Sequence, residues 1–307
     1  MYLKNSIAAF FAITISTLTY AQPKLKTIIS ESYKEPENAG DKVRKDTLIY
    51  KFKDGKLDQH IDKSPYSGRQ KSYYYNTKGL LETIIEKYNG TGGVSYRYEY
   101  DDKGIIKTKY QFELKPGFDP LNISENDKAT PISVSEITSV ISGADFDIKI
   151  VVKSMSRGTL TPSGEINYVR KGNTITYSSK SFGIQTQFVF TYQNGNRILE
   201  DKVKSAKEAY TIEFSYDNEP NVYNTFLKRM LGDQYFINAF IVGTLVDHNY
   251  AWVISENNFT SRKLTKTKGI IISDNESKIE YNGNHYPEKI TTKIGFENYL
   301  VSKFTYE

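Results

Sequence analysis

The chain contains no cysteine, one tryptophan, three methionines and three histidines among its 307 residues. Without cysteine there is no disulfide framework, thiolate metal site, cysteine nucleophile or acylated lipobox anchor. His60, His248 and His285 lie far apart, so no H-x-x-x-H or H-E-x-x-H spacing exists to hold a metal. A G-x-S-x-G elbow, a P-loop and a G-x-G-x-x-G fingerprint are also missing. No cofactor and no metal are expected. An excess of one charge is lacking too: 41 Lys+Arg against 36 Asp+Glu leave +5. That charge is spread along the chain and does not point to nucleic acid.

Long apolar runs are scarce, and the first stands at the start. Lys4 is followed by an almost uncharged stretch from Ser6 to Leu18, then by Thr19-Tyr20-Ala21 before Gln22-Pro23. This pattern predicts a signal peptide over residues 1–21, cleaved after Ala21. The apolar stretch is roughly 13 residues, short of the ~20 that span a bilayer. The expected product is exported, periplasmic or extracellular, without a lipid anchor and without membrane insertion after cleavage.

What the chain has in plenty is aromatic residues, with 25 tyrosines and 16 phenylalanines. They alternate. Tyr96, Tyr98 and Tyr100 are separated by Arg97 and Glu99; Phe188, Phe190 and Tyr192 by Val189 and Thr191; Ile212, Phe214 and Tyr216 by Glu213 and Ser215. Successive side chains of a strand point to opposite faces, so each triad lays three large groups on one side. The other side is mostly polar, as in an antiparallel sheet with one buried and one wetted face. Asp54-Gly55, Asn76 to Gly79, Asp101 to Gly104 and Asn194-Gly195 supply turns between these runs.

The turns recur. Gly55, Gly79 and Gly104 are 24 and 25 residues apart, and Tyr75 to Tyr100 is again 25. Each period holds two strands and two turns. The expected fold is mainly β, an antiparallel meander of repeated β-hairpins in 24–25-residue units, with one or two short helices near 224–246. Residues 22–46 are polar and read as an exposed leader. Residues 47–112 form a first repeat block, and 113–144 an irregular insertion with a short helix near Ser133–Ser142. Residues 145–307 form a C-terminal β block, which either continues the first sheet or makes its own. The stretch Val222 to Val246 is apolar without alternation, and its helices are expected to plug the end of the sheet. A transmembrane barrel is not expected, given a mean hydropathy of −0.54 and charges at outward strand positions.

The unit Tyr98-Glu99-Tyr100-Asp101-Asp102-Lys103-Gly104-Ile105-Ile106 resembles the YD repeat of Rhs-type bacterial surface proteins. Tyr73 to Leu81 is similar with Asn76 in place of Asp, and Phe190 to Gly195 is one residue short. The C-terminal part also resembles secreted sheet proteins of Gram-negative bacteria through Pro220-Asn221, Ser255 to Asn258, and Tyr281 to Pro287. The resemblance implies a repeat-built sheet. The YD motif carries no catalytic residue to transfer.

Candidate chemistry is thin. Asp247-His248 could form an acid–base pair, but neighbours in a strand face opposite ways. Glu82, Glu99, Glu165, Glu213 and Glu280 are read as wetted-face residues. In Tyr73-Tyr74-Tyr75, alternation turns Tyr74 away from its neighbours, making it the candidate exposed aromatic, with Arg97 and Glu99 as cross-strand neighbours. These three are the candidate ligand-binding residues, with a glycan or an envelope protein as partner. The leading expectation is a secreted, non-catalytic β-repeat protein that binds or scaffolds at the cell envelope. The alternative is a secreted enzyme on polysaccharide or peptidoglycan, using wetted-face carboxylates.

Overall fold

Alternating aromatic and polar residues become strands over most of the chain. The computed structural model describes residues 24–34, 47–63, 68–88, 92–115, 121, 130–181, 184–202, 209–243, 254–266, 270–294 and 298–307. The expected signal peptide and the Asp247-His248 pair lie outside the described residues. The first strands are β1 (Leu25–Lys34), β2 (Thr47–Lys53), β3 (Lys56–Asp62), β4 (Gln70–Tyr75), β5 (Leu81–Tyr88), β6 (Gly92–Tyr100) and β7 (Ile106–Glu113). Next come β8 (Ser133–Ser142), β9 (Asp145–Ser156), β10 (Thr159–Lys171), β11 (Thr174–Ser181), β12 (Ile184–Gln193), β13 (Asn196–Lys202) and β14 (Tyr210–Pro220). Two helices, α1 (Val222–Leu231) and α2 (Tyr235–Val242), precede β15 (Asn257–Lys266), β16 (Ile270–Tyr281), β17 (Pro287–Ile294) and β18 (Asn298–Tyr306).

Every strand pairs antiparallel with the next, so both expected blocks belong to one sheet. The sheet also closes. β1 pairs with β2 through Thr27↔Lys51 and with β18 through Ile28↔Phe304 and Ser30↔Ser302. The result is an 18-stranded barrel, which the meander expectation did not include. Two expectations are corrected here. The leader holds β1, the closing strand, because Ile28 and Ser30 alternate as buried positions against Phe304 and Ser302, with Leu25 buried opposite Tyr306 across a bulge. Ser133–Ser142 is strand β8 and not a helix: half of it is β-branched, and it pairs along its whole length with β9, Ile137 opposite Ile150.

The aromatic face points into the barrel. Tyr50, Phe52, Tyr73, Tyr98, Phe146, Phe190 and Phe304 belong to one buried cluster with helix residues Phe226, Leu227, Met230 and Phe240. Rings from opposite walls meet the helices: Phe52–Phe226 at 5.3 Å, Tyr168–Phe240 at 4.9 Å and Tyr223–Phe304 at 6.0 Å. The helices therefore sit inside the lumen. α2 reads YFINAFIV, apolar all round, as a helix surrounded by protein must be. Asn238 at its centre is fully buried; its Oδ1 accepts from Ile106 N at 2.9 Å, and its Nδ2 donates to Gly104 O at 2.8 Å. That ties the plug to the β6–β7 turn.

The outer wall is charged. β10 directs Glu165 outward to Lys149 of β9 at 2.9 Å, and β16 directs Glu280 to Lys289 of β17 at 2.8 Å. Hydrogen bonds from Lys149 and Asn167 hold the Glu165 carboxyl below the usual carboxylate range. Lipid contact would require desolvating these groups.

Sequence chemistry explains the repeat. Asp101 Oδ1 accepts from Lys103 N and Ile105 N, and Asn76 Oδ1 accepts in the same way from Lys78 N and Leu80 N. Asn282 repeats the device toward Asn284 N and Tyr286 N. The fourth residue of this turn has positive φ, which suits Gly79 (77°) and Gly104 (80°); His285 (63°) takes that place in the third copy.

The tyrosines have a second repeated task. Tyr75, Tyr100, Tyr216 and Tyr306 each donate a hydroxyl hydrogen bond to a carbonyl 18 or 19 residues earlier, on Leu57, Leu81, Arg197 and Pro287 respectively. In the first three cases the register shifts at the tyrosine, marking a bulge. A leucine would fill the space but could not make the bond. Tyr100→Phe is expected to cost about 0.5–1.5 kcal/mol, one net hydrogen bond. Urea unfolding measures it, and an unchanged midpoint with unchanged slope would deny the hydroxyl a role.

Candidate functional site in the barrel lumen

The residues singled out from sequence lie on the outer wall. Tyr74 points outward and is 37% exposed, as alternation required. Its direct cross-strand partner is Thr83, and Arg97 lies one strand further along, opposite Tyr110. Tyr74 and Arg97 therefore sit roughly 10 Å apart along a row, two strand spacings, rather than in contact. Glu99 occupies the same face and accepts from the Tyr110 hydroxyl at 3.4 Å. Arg97 and Glu99 line, with Glu82, a broad hollow over the β4–β5 and β6–β7 turns, whereas Tyr74 stands outside it. Glu165 and Glu280 are also outward, on strands separated by five others, and do not converge.

The lumen holds the concave site. A cavity of about 560 Å³ lies against α2, with Ala239, Phe240 and the capping Gly243 forming its floor. Tyr168 of β10, Tyr177 of β11 and Phe188 and Phe190 of β12 make one wall, with centroids 5.1 Å, 5.5 Å and 6.1 Å apart in succession. Tyr210, Ile212 and Phe214 of β14 make the next. Offset and tilted rings at these spacings form a broad apolar surface that a flat or chain-like group can contact. A hollow of about 750 Å³ over the β4–β5 and β6–β7 turns is wider, but Asn76 and Asp101 in its lining are already engaged by the turns themselves.

Among the described residues, three charged side chains line the lumen cavity: Arg197, Glu200 and Arg262. Arg197 Nη1 donates to Glu200 Oε2 at 3.1 Å, Nε donates to the Tyr192 hydroxyl at 3.3 Å, and the guanidinium lies 4.0 Å from the Phe190 ring centroid. The bulge between Thr191 and Tyr192 shifts the register on β13, so Arg197 and Glu200, three apart, both face inward. Burial opposes the Arg197 charge, but Tyr192 and Glu200 outweigh it and hold its pKa above the ordinary value. Arg262 projects inward between Phe214 and Asn275, and its buried Nε has no hydrogen-bond partner among the described residues. It also lines a second hollow of about 130 Å³ beside Asn275 and Ser277.

Sequence reasoning missed all three. Period-2 parity breaks at the bulges before Arg197 and near Phe259, so neither arginine shows its inward direction in the sequence. The wall residues Phe188, Phe190, Ile212 and Phe214 were legible as one face, without a sign that the face borders open space. His60, another inward polar residue, is stacked on Tyr50 at 4.4 Å with an interplanar angle of 11°.

Lys109 lies beneath this region, its Nζ donating to Val242 O at 3.4 Å above the Tyr96 ring. Burial pushes its pKa down to about 8. A lowered lysine pKa means that the folded state holds the proton less tightly than the unfolded chain. Stability is therefore reduced below pH 8 and recovers as pH rises from about 8 toward 10.4, the unfolded value. Wild type is expected to gain about 1–3 kcal/mol across that window, and Lys109→Met to lose most of the slope. Chemical denaturation at pH 7.5 and pH 9.5 checks this; parallel curves for both proteins would refute it.

No family model and no curated protein sequence matches the chain. The YD-repeat membership implied by the sequence is thus without support; its strand–turn unit is a hairpin of this barrel. Among solved structures, a porin-like protein from Bacteroides uniformis is similar at 11% identity, covering 93% of this chain and 98% of that one, TM-score 0.43. A porin-like protein from Bacteroides vulgatus matches at 10% identity over 93% and 99%, TM-score 0.40. TcdB2-TccC3 matches at 10% identity over 82% of this chain and 15% of that one, TM-score 0.20. These scores carry no argument about fold or function, and the barrel rests on its own strand pairings.

Proposed function

We propose that the chain is an exported, non-catalytic binding barrel of the cell envelope that takes a small molecule into its lumen. The observation that carries this reading is the cavity of about 560 Å³ with aromatic walls, enclosed by a barrel whose outer face is charged. Ligand sites are typically concave, largely apolar, and of about 300–1,000 Å³, with a few placed polar groups. Glu200, the carboxylate among the described lining residues, is engaged by Arg197. The arrangement supplies recognition rather than a free acid–base pair. The N-terminal apolar segment supports export.

The neutral fluorophore N-phenyl-1-naphthylamine tests the reading. It is expected to bind near one per chain with a blue shift, and Ala239→Phe, which fills the floor, is expected to abolish binding while circular dichroism is retained. Absence of saturable binding to wild type would sink the lumen reading. The outer row supports a second reading, in which Tyr74, Arg97 and Glu99 contact a glycan. A glycan array should then show binding that Tyr74→Ala removes; binding that survives the substitution would take Tyr74 out of the site.

A further inference from the structure

The charges inside the cavity do not cancel. Arg197 and Glu200 neutralise each other at 3.1 Å, which leaves Arg262 as the uncompensated cation among the described lining residues. Its fork stands between Phe214 and Asn275, half-buried, with Nε out of reach of water and, among the described residues, of any hydrogen-bond partner. An unpartnered buried donor is costly, and a charged one more so. Four residues along β15 from Arg262, and two beyond the Glu200–Ile212–Leu264 row, Lys202, Tyr210 and Lys266 pair in one row, with Lys202 Nζ 5.3 Å from the Tyr210 ring centroid. Beyond Tyr210, the last cavity-lining residue of β14 in this direction, the row is thus cationic as well. Positive groups along an entrance raise the local concentration of an anion before it docks.

We infer that the lumen ligand is an amphipathic anion: an apolar or aromatic body against the ring wall, and one acidic group held by Arg262. The inference rests on the lumen reading above and adds the ligand's chemical class. Guanidinium presents two parallel N–H donors that match a carboxylate or a single phosphate or sulfonate edge. The space suits a molecule of drug size or a medium-length chain, and the apolar wall excludes small hydrophilic anions by offering them nothing in return for lost hydration.

The test uses 11-(dansylamino)undecanoic acid and its methyl ester, titrated into the full chain and followed by dansyl emission. The acid is expected to bind at least tenfold more tightly than the ester, in keeping with one charged hydrogen-bonded contact. Arg262→Gln should weaken the acid to the ester's level and leave the ester within about twofold, which also shows that the variant's lumen is intact. Arg262→Lys, which keeps the charge without the fork, should fall between. Equal affinities for acid and ester, unchanged in Arg262→Gln, would overturn the anion assignment while leaving a lumen binder. If neither probe binds, the lumen reading fails and the inference with it.

Discussion

Arg197→Met is expected to cost the barrel about 3–5 kcal/mol, the scale of a buried ion pair broken from one side. Arg197 and Glu200 side chains are 6% and 15% exposed, so the substitution strands a carboxylate in the lumen. It also removes the donor to the Tyr192 hydroxyl and the cation over Phe190. The double variant Arg197→Met with Glu200→Met should recover most of the loss, because a paired charge replaced by apolar groups of similar volume is close to neutral. Equilibrium urea unfolding of the two variants against wild type measures both numbers. A single variant within 1 kcal/mol of wild type would mean that water reaches Glu200 and that the cavity is wetter than the aromatic walls suggest.

Asn238→Leu is expected to cost about 2–4 kcal/mol despite its similar volume. The amide makes three bonds from the middle of α2: Ile106 N donates to its Oδ1, and its Nδ2 donates to Gly104 O and to Leu231 O at 3.2 Å. Leucine leaves the Ile106 N–H buried without a partner, which costs about 1–3 kcal/mol before the lost carbonyl contacts are counted. The effect should be local as well as global. Amide exchange at Ile106 should accelerate more than at Ile279 of β16, nine strands round the barrel, since the helix loses its tie to the β6–β7 turn first. Equal acceleration at both would place the tie elsewhere.

These two residues also mark where the sequence stops being readable. The strands were legible because alternation is local: Tyr96, Tyr98 and Tyr100 declare a face without knowledge of any partner. The turn period was legible because Asp101 and Asn76 bond within their own four residues. The tyrosine excess was read as core packing; the structure adds that Tyr75, Tyr100, Tyr216 and Tyr306 bond a carbonyl on the preceding strand, which leucine could not. Closure was not legible, because Ser30 meets Ser302 across 272 residues and both look like wetted-face serines. The cavity was not legible either. Whether Phe188 and Phe214 face other side chains or open space depends on where α2 stops short of the wall, which strand periodicity does not encode. Arg197 and Arg262 are obscured by bulges, each of which flips the parity that the reading relied on.

The central claim is a closed barrel around a usable lumen, and closure can be tested in a chain free of cysteine. Ser30 and Ser302 form a direct inward pair between the first and last strands, with hydroxyl oxygens 2.7 Å apart. A chain carrying Ser30→Cys and Ser302→Cys is predicted to form an intramolecular disulfide under mild oxidation, read as a mass loss of about 2 Da and a non-reducing mobility shift. Ser30→Cys with Thr305→Cys, three register positions away, is predicted not to. A pair that stays reduced at 30 and 302, or links equally well at 30 and 305, would contradict closure through this register and the enclosed lumen with it.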